Sequence, residues 1–198
     1  MRPKVLAVVF ALCLGPADAL RADTFAIDKG HTVVAFSWHH LGMTRQEGRF
    51  PEVEGTLAFD PAKPEESRLE VASTTGSITT GYPERDRHLR TSDFFDAANH
   101  RTMTFKATDV KVSGEKTGEV TGELTIRGVT KPVTLAVVWH FTGDHPLAQF
   151  NTAFAGKTMA AFSARATIKR SEWGLSRVIP LISDAIEIRI ESELIRKE

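Results

Sequence analysis

The chain has a single cysteine, Cys13, and it lies in the N-terminal apolar run. The body of the protein therefore has no disulfide, no thiolate nucleophile and no cysteine metal site. Neither sign of charge is in excess, with 25 Lys and Arg against 25 Asp and Glu. That balance gives no electrostatic reason to expect nucleic acid as a partner. The longest apolar run, Val5–Leu14, falls short of the about 20 residues a helix needs to cross a bilayer, so stable membrane insertion is not expected. Enzyme signatures are missing as well. There is no H-E-x-x-H, no G-x-S-x-G and no G-x-G-x-x-G. Gly156-Lys157-Thr158 resembles the end of a phosphate-binding loop, but position 151 is Asn where that loop requires Gly.

Arg2 and Lys4 precede the apolar run, Gly15-Pro16 breaks it, and Ala17-Asp18-Ala19 fits a small-x-small cleavage site. Residues 1–19 are therefore expected to be a cleaved secretory signal, which places the protein in the periplasm. Residues 20–198 form one domain. Removing the signal takes away the one cysteine and leaves a formal charge of −1. An exported domain without disulfides must rely on its core.

From Thr24 onward the dominant period is two. Val34, Phe36, Trp38 and His40 share one face, as do Val53, Gly55, Leu57 and Phe59. Val120, Gly122, Leu124 and Ile126 form another apolar row, and so do Val133, Leu135, Val137, Trp139 and Phe141. Ala160 to Ile168 alternates in the same way, as does Ile186 to Ile190. Met103 and Phe105 have the opposite parity to Val110 and Val112, which predicts a bulge between them. Eight or nine half-buried strands with one apolar face suit an antiparallel sheet, and closing it removes its edges. An all-β, eight-stranded barrel is just wide enough to be filled by side chains or to hold one slender ligand. Gly55, Gly122, Ala160, Ala164 and Ala166 either leave space inside or offset large neighbours in a filled core.

One stretch breaks the alternation, Tyr82–Phe105. Pro83 can open a helix at its first turn, and Leu89 with Phe94 and Phe95 gives an apolar stripe at roughly helical spacing. A short helix stopping near Asp96–Asn99 is predicted. It acts either as a plug at one end of the barrel or as a lid beside a ligand mouth.

The segments together resemble the YceI-like family of exported bacterial proteins. The resemblance rests on Ile27-Asp28 with His31 to Phe36, His40-Leu41-Gly42, Gly48-Arg49-Phe50 and Gly55 to Asp60. It continues through Arg85 to Arg90 with Asp93 to Asp96, Leu124 to Val133, and Arg170 to Leu175. It implies a lipocalin-like barrel in the periplasm, with an elongated apolar cavity for a long isoprenoid or similar lipid tail, often in a homodimer. Trp38, where the family usually carries an aliphatic residue, and Ala160-Ala161-Phe162 depart from that pattern.

The site expected from these observations has an apolar wall of Phe36, Trp38, His40, Phe105, Leu124 and Ile126. Trp139, Phe162 and Ala164 continue the wall, and Phe94 and Phe95 close or floor it. Arg85, His88, Arg90 and Arg127 are the head-group candidates. No catalytic residue, no metal and no cofactor beyond the bound lipid is expected. His39 and His40 are adjacent on a strand and so face opposite ways, which disfavours a shared ion with His88 and His100. Helix caps and solvated charge explain Asp86, Asp93, Asp96 and His88 more simply than an acid–base group does. The alternative to a lipid carrier is a filled barrel that serves in stress response or protein interaction without a small ligand.

Overall fold

The structure, a computed structural model, describes residues 22–198. The expected signal segment lies outside the described residues. Ten strands run antiparallel: β1 (Asp23–Ile27), β2 (Val33–His40), β3 (Thr44–Phe50), β4 (Val53–Phe59) and β5 (Arg68–Thr74) come first. Then follow α1 (Pro83–Leu89), β6 (Thr102–Gly114), β7 (Thr117–Ile126), β8 (Val129–Asp144), β9 (Thr158–Lys169) and β10 (Ala185–Arg196).

These ten strands make eight staves. β10 pairs with β1 through Ile27↔Leu194 and with β2 through Val33↔Glu191, so β1 and β2 are one stave broken at a turn. β3 pairs with β2 and β4 with β1, which makes a second broken stave. The β1–β10 pairing closes the ring into an eight-stranded antiparallel barrel. Twelve residues of β10 at about 3.3 Å each give a stave about 40 Å long, or about 30 Å of barrel at the usual tilt.

Sequence alternation missed β3. Its residues, Thr-Arg-Gln-Glu-Gly-Arg-Phe, carry only Gly48 and Phe50 as buried positions, and the strand exists because seven residues pair in register with β2. The predicted bulge is present, with the register shifting between Ala107 and Asp109. β7 and β8 are joined by Arg127 and Gly128, both at positive φ (51° and 74°), the backbone of a tight hairpin turn.

The helix is shorter than predicted. It spans seven residues and ends at Leu89, and residues 91–99 form a chain of turns. Thr91 explains the stop: its hydroxyl donates to the His88 carbonyl at 2.7 Å, and Phe94 and Asp96 both donate to the Thr91 carbonyl.

The two inward glycines do not open space. A Cβ on Gly122 would lie 2.5 Å from the Phe105 ring and 2.6 Å from the Lys106 carbonyl oxygen, while one on Gly55 would strike the Glu70 carbonyl. The ring of Phe105 fills the place of the missing side chain. Gly122→Ala should therefore cost about 1–3 kcal/mol in a urea titration, and a neutral result would mean that Phe105 moves freely.

The packed interior is split in two. Near α1, Phe50, Ile78, Phe94, Met103 and Trp173 belong to one cluster, with Trp173 only 2% exposed. At the other end Phe25, Leu57, Phe59, Ala160 and Leu194 form a second.

Candidate functional site

Between the two clusters the barrel is hollow. The cavity measures about 750 Å³, within the range of small-molecule sites. Its wall shows the hollow residue by residue. Ile186, Ile188 and Ile190 on β10, Leu124 on β7 and Val137 on β8 all line it, yet each is only half-buried. In a filled barrel such inward positions would be the most buried of all.

Period-two backbone geometry places the wall. Phe36, Trp38 and His40 come from β2, Phe105 from β6, Leu124 and Ile126 from β7, Trp139 from β8, and Phe162 and Ala164 from β9. All nine line the cavity, and so do Phe94 and Phe95 from the turns after α1. The rings are ordered among themselves. Phe36 stacks on Trp38 at 5.7 Å, Phe50 meets Phe95 edge-on at 5.5 Å, and Phe59 touches Trp139 and Phe162 at 5.3 Å each. Ala164 belongs to the α1-end cluster and is nearly sealed there. His40 lines the cavity from an exposed position at the end of β2, where its backbone bridges to Ile182.

The two ends of the cavity differ. At the α1 end Trp38, Tyr82, Arg85, His88, Val178 and Ile182 surround the opening. At the other end the lining includes Lys111, Glu115, Lys116 and Glu119 of the β6–β7 hairpin.

Only two of the four head-group candidates reach the cavity. The Arg85 guanidinium lies over the Trp38 ring at 5.4 Å and over Tyr82 at 5.9 Å. Neutral groups hold it: its Nε donates to the Thr80 hydroxyl at 2.7 Å, and its two terminal nitrogens donate to the Thr80 carbonyl and the Gln46 amide oxygen. His88 also lines the opening, with Nε2 3.1 Å from Asp93, which Arg177 contacts at 3.0 Å. Arg90 and Arg127 are turned away from the cavity. Arg90 donates to the Ile78 carbonyl and Arg127 to that of Gly174. Both serve the loops, because the carbonyls they satisfy sit in connections with no ladder partner.

Asp86 anchors α1 and is 7% exposed. Burial raises its pKa, but hydrogen bonds from the Thr80 amide and hydroxyl, the Thr79 hydroxyl and the charge of Arg90 outweigh that, leaving it below 3.8. A carboxylate depressed in the folded state contributes stability that is present above its unfolded value and is lost as pH falls through the folded one. Asp86→Asn should cost about 1–3 kcal/mol at neutral pH, with the gap to wild type narrowing below about pH 3.8. Urea titrations across that range read it; a constant gap would show that the charge is not what holds the helix.

Arg170 enters the sequence reading only as the first residue of the Arg170 to Leu175 stretch, with no site role. It is 6% exposed and borders the cavity, and its guanidinium donates to the carbonyls of Leu175, Ile182 and Ser183. Burial lowers its pKa, opposed by the nearby Asp184. Its signal was available: an arginine just ahead of Trp173-Gly174 opens a connection with no period-two pattern. Of the four histidines weighed for a metal, His88 meets Asp93 and His100 meets Asp96. Asp28, His31 and Glu193 do place ligand-type atoms within 4.8 Å of one another, outside the cavity wall.

The sequence profile of the YceI-like domain matches residues 25–194. A UPF0312 protein of Ectopseudomonas mendocina is 36% identical over 193 residues, covering 94% of this chain and 96% of its own length. The crystal structure of the Campylobacter jejuni YceI protein has a TM-score of 0.70 at 31% identity, over 81% of this chain and 90% of that one. A polyisoprenoid binding domain from Saccharophagus degradans shares the fold, with a TM-score of 0.62 at 14% identity, over 89% of this chain and 99% of that one.

Proposed function

This chain belongs to the YceI-like domain family, and from that premise we propose that it is a non-catalytic carrier that encloses a long isoprenoid or similar lipid tail in the barrel. The observation that carries this reading is the 750 Å³ apolar hollow with half-buried Ile186, Ile188 and Ile190 on its wall. The fold shared with a polyisoprenoid binding domain supports it. The periplasm is the proposed location, on the strength of the signal-like residues 1–19.

The physics of such a site is simple. Each buried CH₂ contributes about 0.8 kcal/mol. A tail of several isoprene units therefore has a large gross gain, which ordering a flexible chain and docking it largely offset. Walls of this kind select width and length and are nearly blind to chemistry. Polar choice falls to the opening, where Arg85 and His88 face the cavity. Arg85 keeps its cation against aromatic faces and neutral acceptors, so the head group it suits is one rich in oxygen acceptors.

Native mass spectrometry of protein from its own host tests the proposal. A co-purifying lipid, or uptake of an added long-chain prenol at one per barrel, is the expected result. Repeated lipid-free preparations that also refuse prenols and fatty amides would overturn it in favour of an interaction module.

A further inference from the structure

Six large apolar side chains stand in solvent at the α1 end. Leu41 and Met43 are in the β2–β3 turn, Tyr82 precedes α1, and Val178, Ile179 and Leu181 are in the connection after β9. Met43 is 76% exposed and Leu181 57%. The two loops that carry most of them are bonded together. The Leu41 amide donates to the Leu181 carbonyl at 2.6 Å, Ser183 donates to the His39 carbonyl, and His40 bridges to Ile182. Tyr82 joins from the helix side through Arg85, which spans to Trp38. Tyr82 and Val178 also line the cavity, so the apolar rim runs directly into the hollow.

The opposite end is built differently. There the lining includes Lys111, Glu115, Lys116 and Glu119, with Val112 the exposed apolar residue among them. Leu147 and Phe150 are exposed at that end, but neither is part of the cavity wall. One end of the lining is thus the charged tip of a hairpin with a single exposed valine, and the other is ringed by several protruding apolar tips beside Glu84, Arg85 and His88.

We infer that the α1 end docks on the surface of a lipid bilayer, with Met43, Leu181 and their neighbours entering the acyl boundary. The inference deepens the lipid-tail reading and rests on it for its purpose. A tail then passes between bilayer and hollow without crossing water, while its head group stays at the interface beside Arg85 and His88.

Two observations favour a lipid surface over a second copy of the chain. Tyr82 and Val178 belong both to the rim and to the cavity wall, so a second copy seated here would seal the mouth that the tail must pass. The six residues also project from turn tips around an opening, where a self-complementary face would be broad and flat. Charge indicates which bilayer. Arg45 pairs with Glu187 at 2.6 Å, Arg177 pairs with Asp93 at 3.0 Å, and Glu84 lines the cavity along with Arg85, whose own partners are neutral, so the rim carries both signs. Docking is therefore driven by apolar area, suits zwitterionic lipid and depends little on salt.

Flotation of ligand-free protein with phosphatidylcholine vesicles, at low and high salt, tests the inference beside the double variant Met43→Asp, Leu181→Asp. Neither position lines the cavity. Wild type should float equally at both salt concentrations. The variant should lose at least about tenfold in vesicle partitioning and extract prenol from vesicles more slowly, while binding solvent-delivered prenol as wild type does. Wild type that stays in the soluble fraction overturns the docking, as does a variant that floats equally well. Dimers that the variant abolishes, without vesicle binding, would make the rim a self-interface. Flotation without any uptake of solvent-delivered prenol would leave the docking standing and remove the lipid-tail reading. If circular dichroism shows the double aspartate variant unfolded, Met43→Ser with Leu181→Ser repeats the comparison.

Discussion

Arg170→Met is expected to lower unfolding stability by about 3–5 kcal/mol, the largest loss from any single polar group described above. The side chain is 6% exposed and serves three carbonyls, those of Leu175, Ile182 and Ser183. Methionine keeps most of the volume and none of the donors, so three inward carbonyls are left without partners, each costing about 1–3 kcal/mol with partial relief from water. The loss is local in origin and wide in effect. The same carbonyls shape the 170–184 connection, and with it the Trp173 cap and the Val178–Leu181 rim. Lysine should recover less than half of the loss, because a single ammonium cannot reach three acceptors set out for a planar fork. Urea titrations of the two variants read this directly. A cost under about 1 kcal/mol would mean that Trp173 and Leu175 hold the connection alone.

The second large effect is on binding. Ile188 sits on the cavity wall, paired across to Phe36 on β2 and Ala166 on β9. Ile188→Trp pushes an indole into the hollow. Displacing about three methylenes of a bound tail removes about 2.4 kcal/mol, or roughly 60-fold in affinity for a long prenol. Ligand-free stability should move by less than about 1 kcal/mol, since the indole enters open space, and a short prenol should bind almost as before. A filled interior would behave in the opposite way, losing about 1–3 kcal/mol to overpacking with little change in binding. Ala164 makes a poorer probe, because it is nearly sealed in the α1-end cluster and a large residue there tests packing alone.

Arg170 and Ile188 also show how unevenly structure is written along the chain. Ile188 was legible: its row of isoleucines against Glu187, Arg189 and Glu191 announces a strand and an inward face. Arg170 was legible only as the start of a connection with no period-two pattern; that three carbonyls turn toward it is decided by the fold. β3 escaped for a related reason. Its polar residues have no alternation of their own, and partnership with β2 alone makes them a strand. The head-group candidates divided along the same line. Arg85, His88 and Arg90 lie close together on a helix and its C-cap, and a change of two or five positions decides whether a side chain meets the cavity or a loop carbonyl.

Period two is a property of each strand by itself, because successive side chains must leave a pleated backbone on opposite sides. The sequence alone therefore determined that this is an antiparallel all-β chain, where β6 bulges, where a helix interrupts and which faces point inward, except at Phe141, which a register shift after Trp139 leaves exposed. Only the tertiary structure decided whether the inside is full. That depends on pairs remote in sequence meeting across the ring, such as Phe105 over Gly122, Phe59 against Trp139, and β1 closing on β10. Volume is a sum over those meetings and no single strand carries it. The same holds for the mouth, whose apolar rim is assembled from the β2–β3 turn, the start of α1 and the connection after β9 only once the barrel has closed.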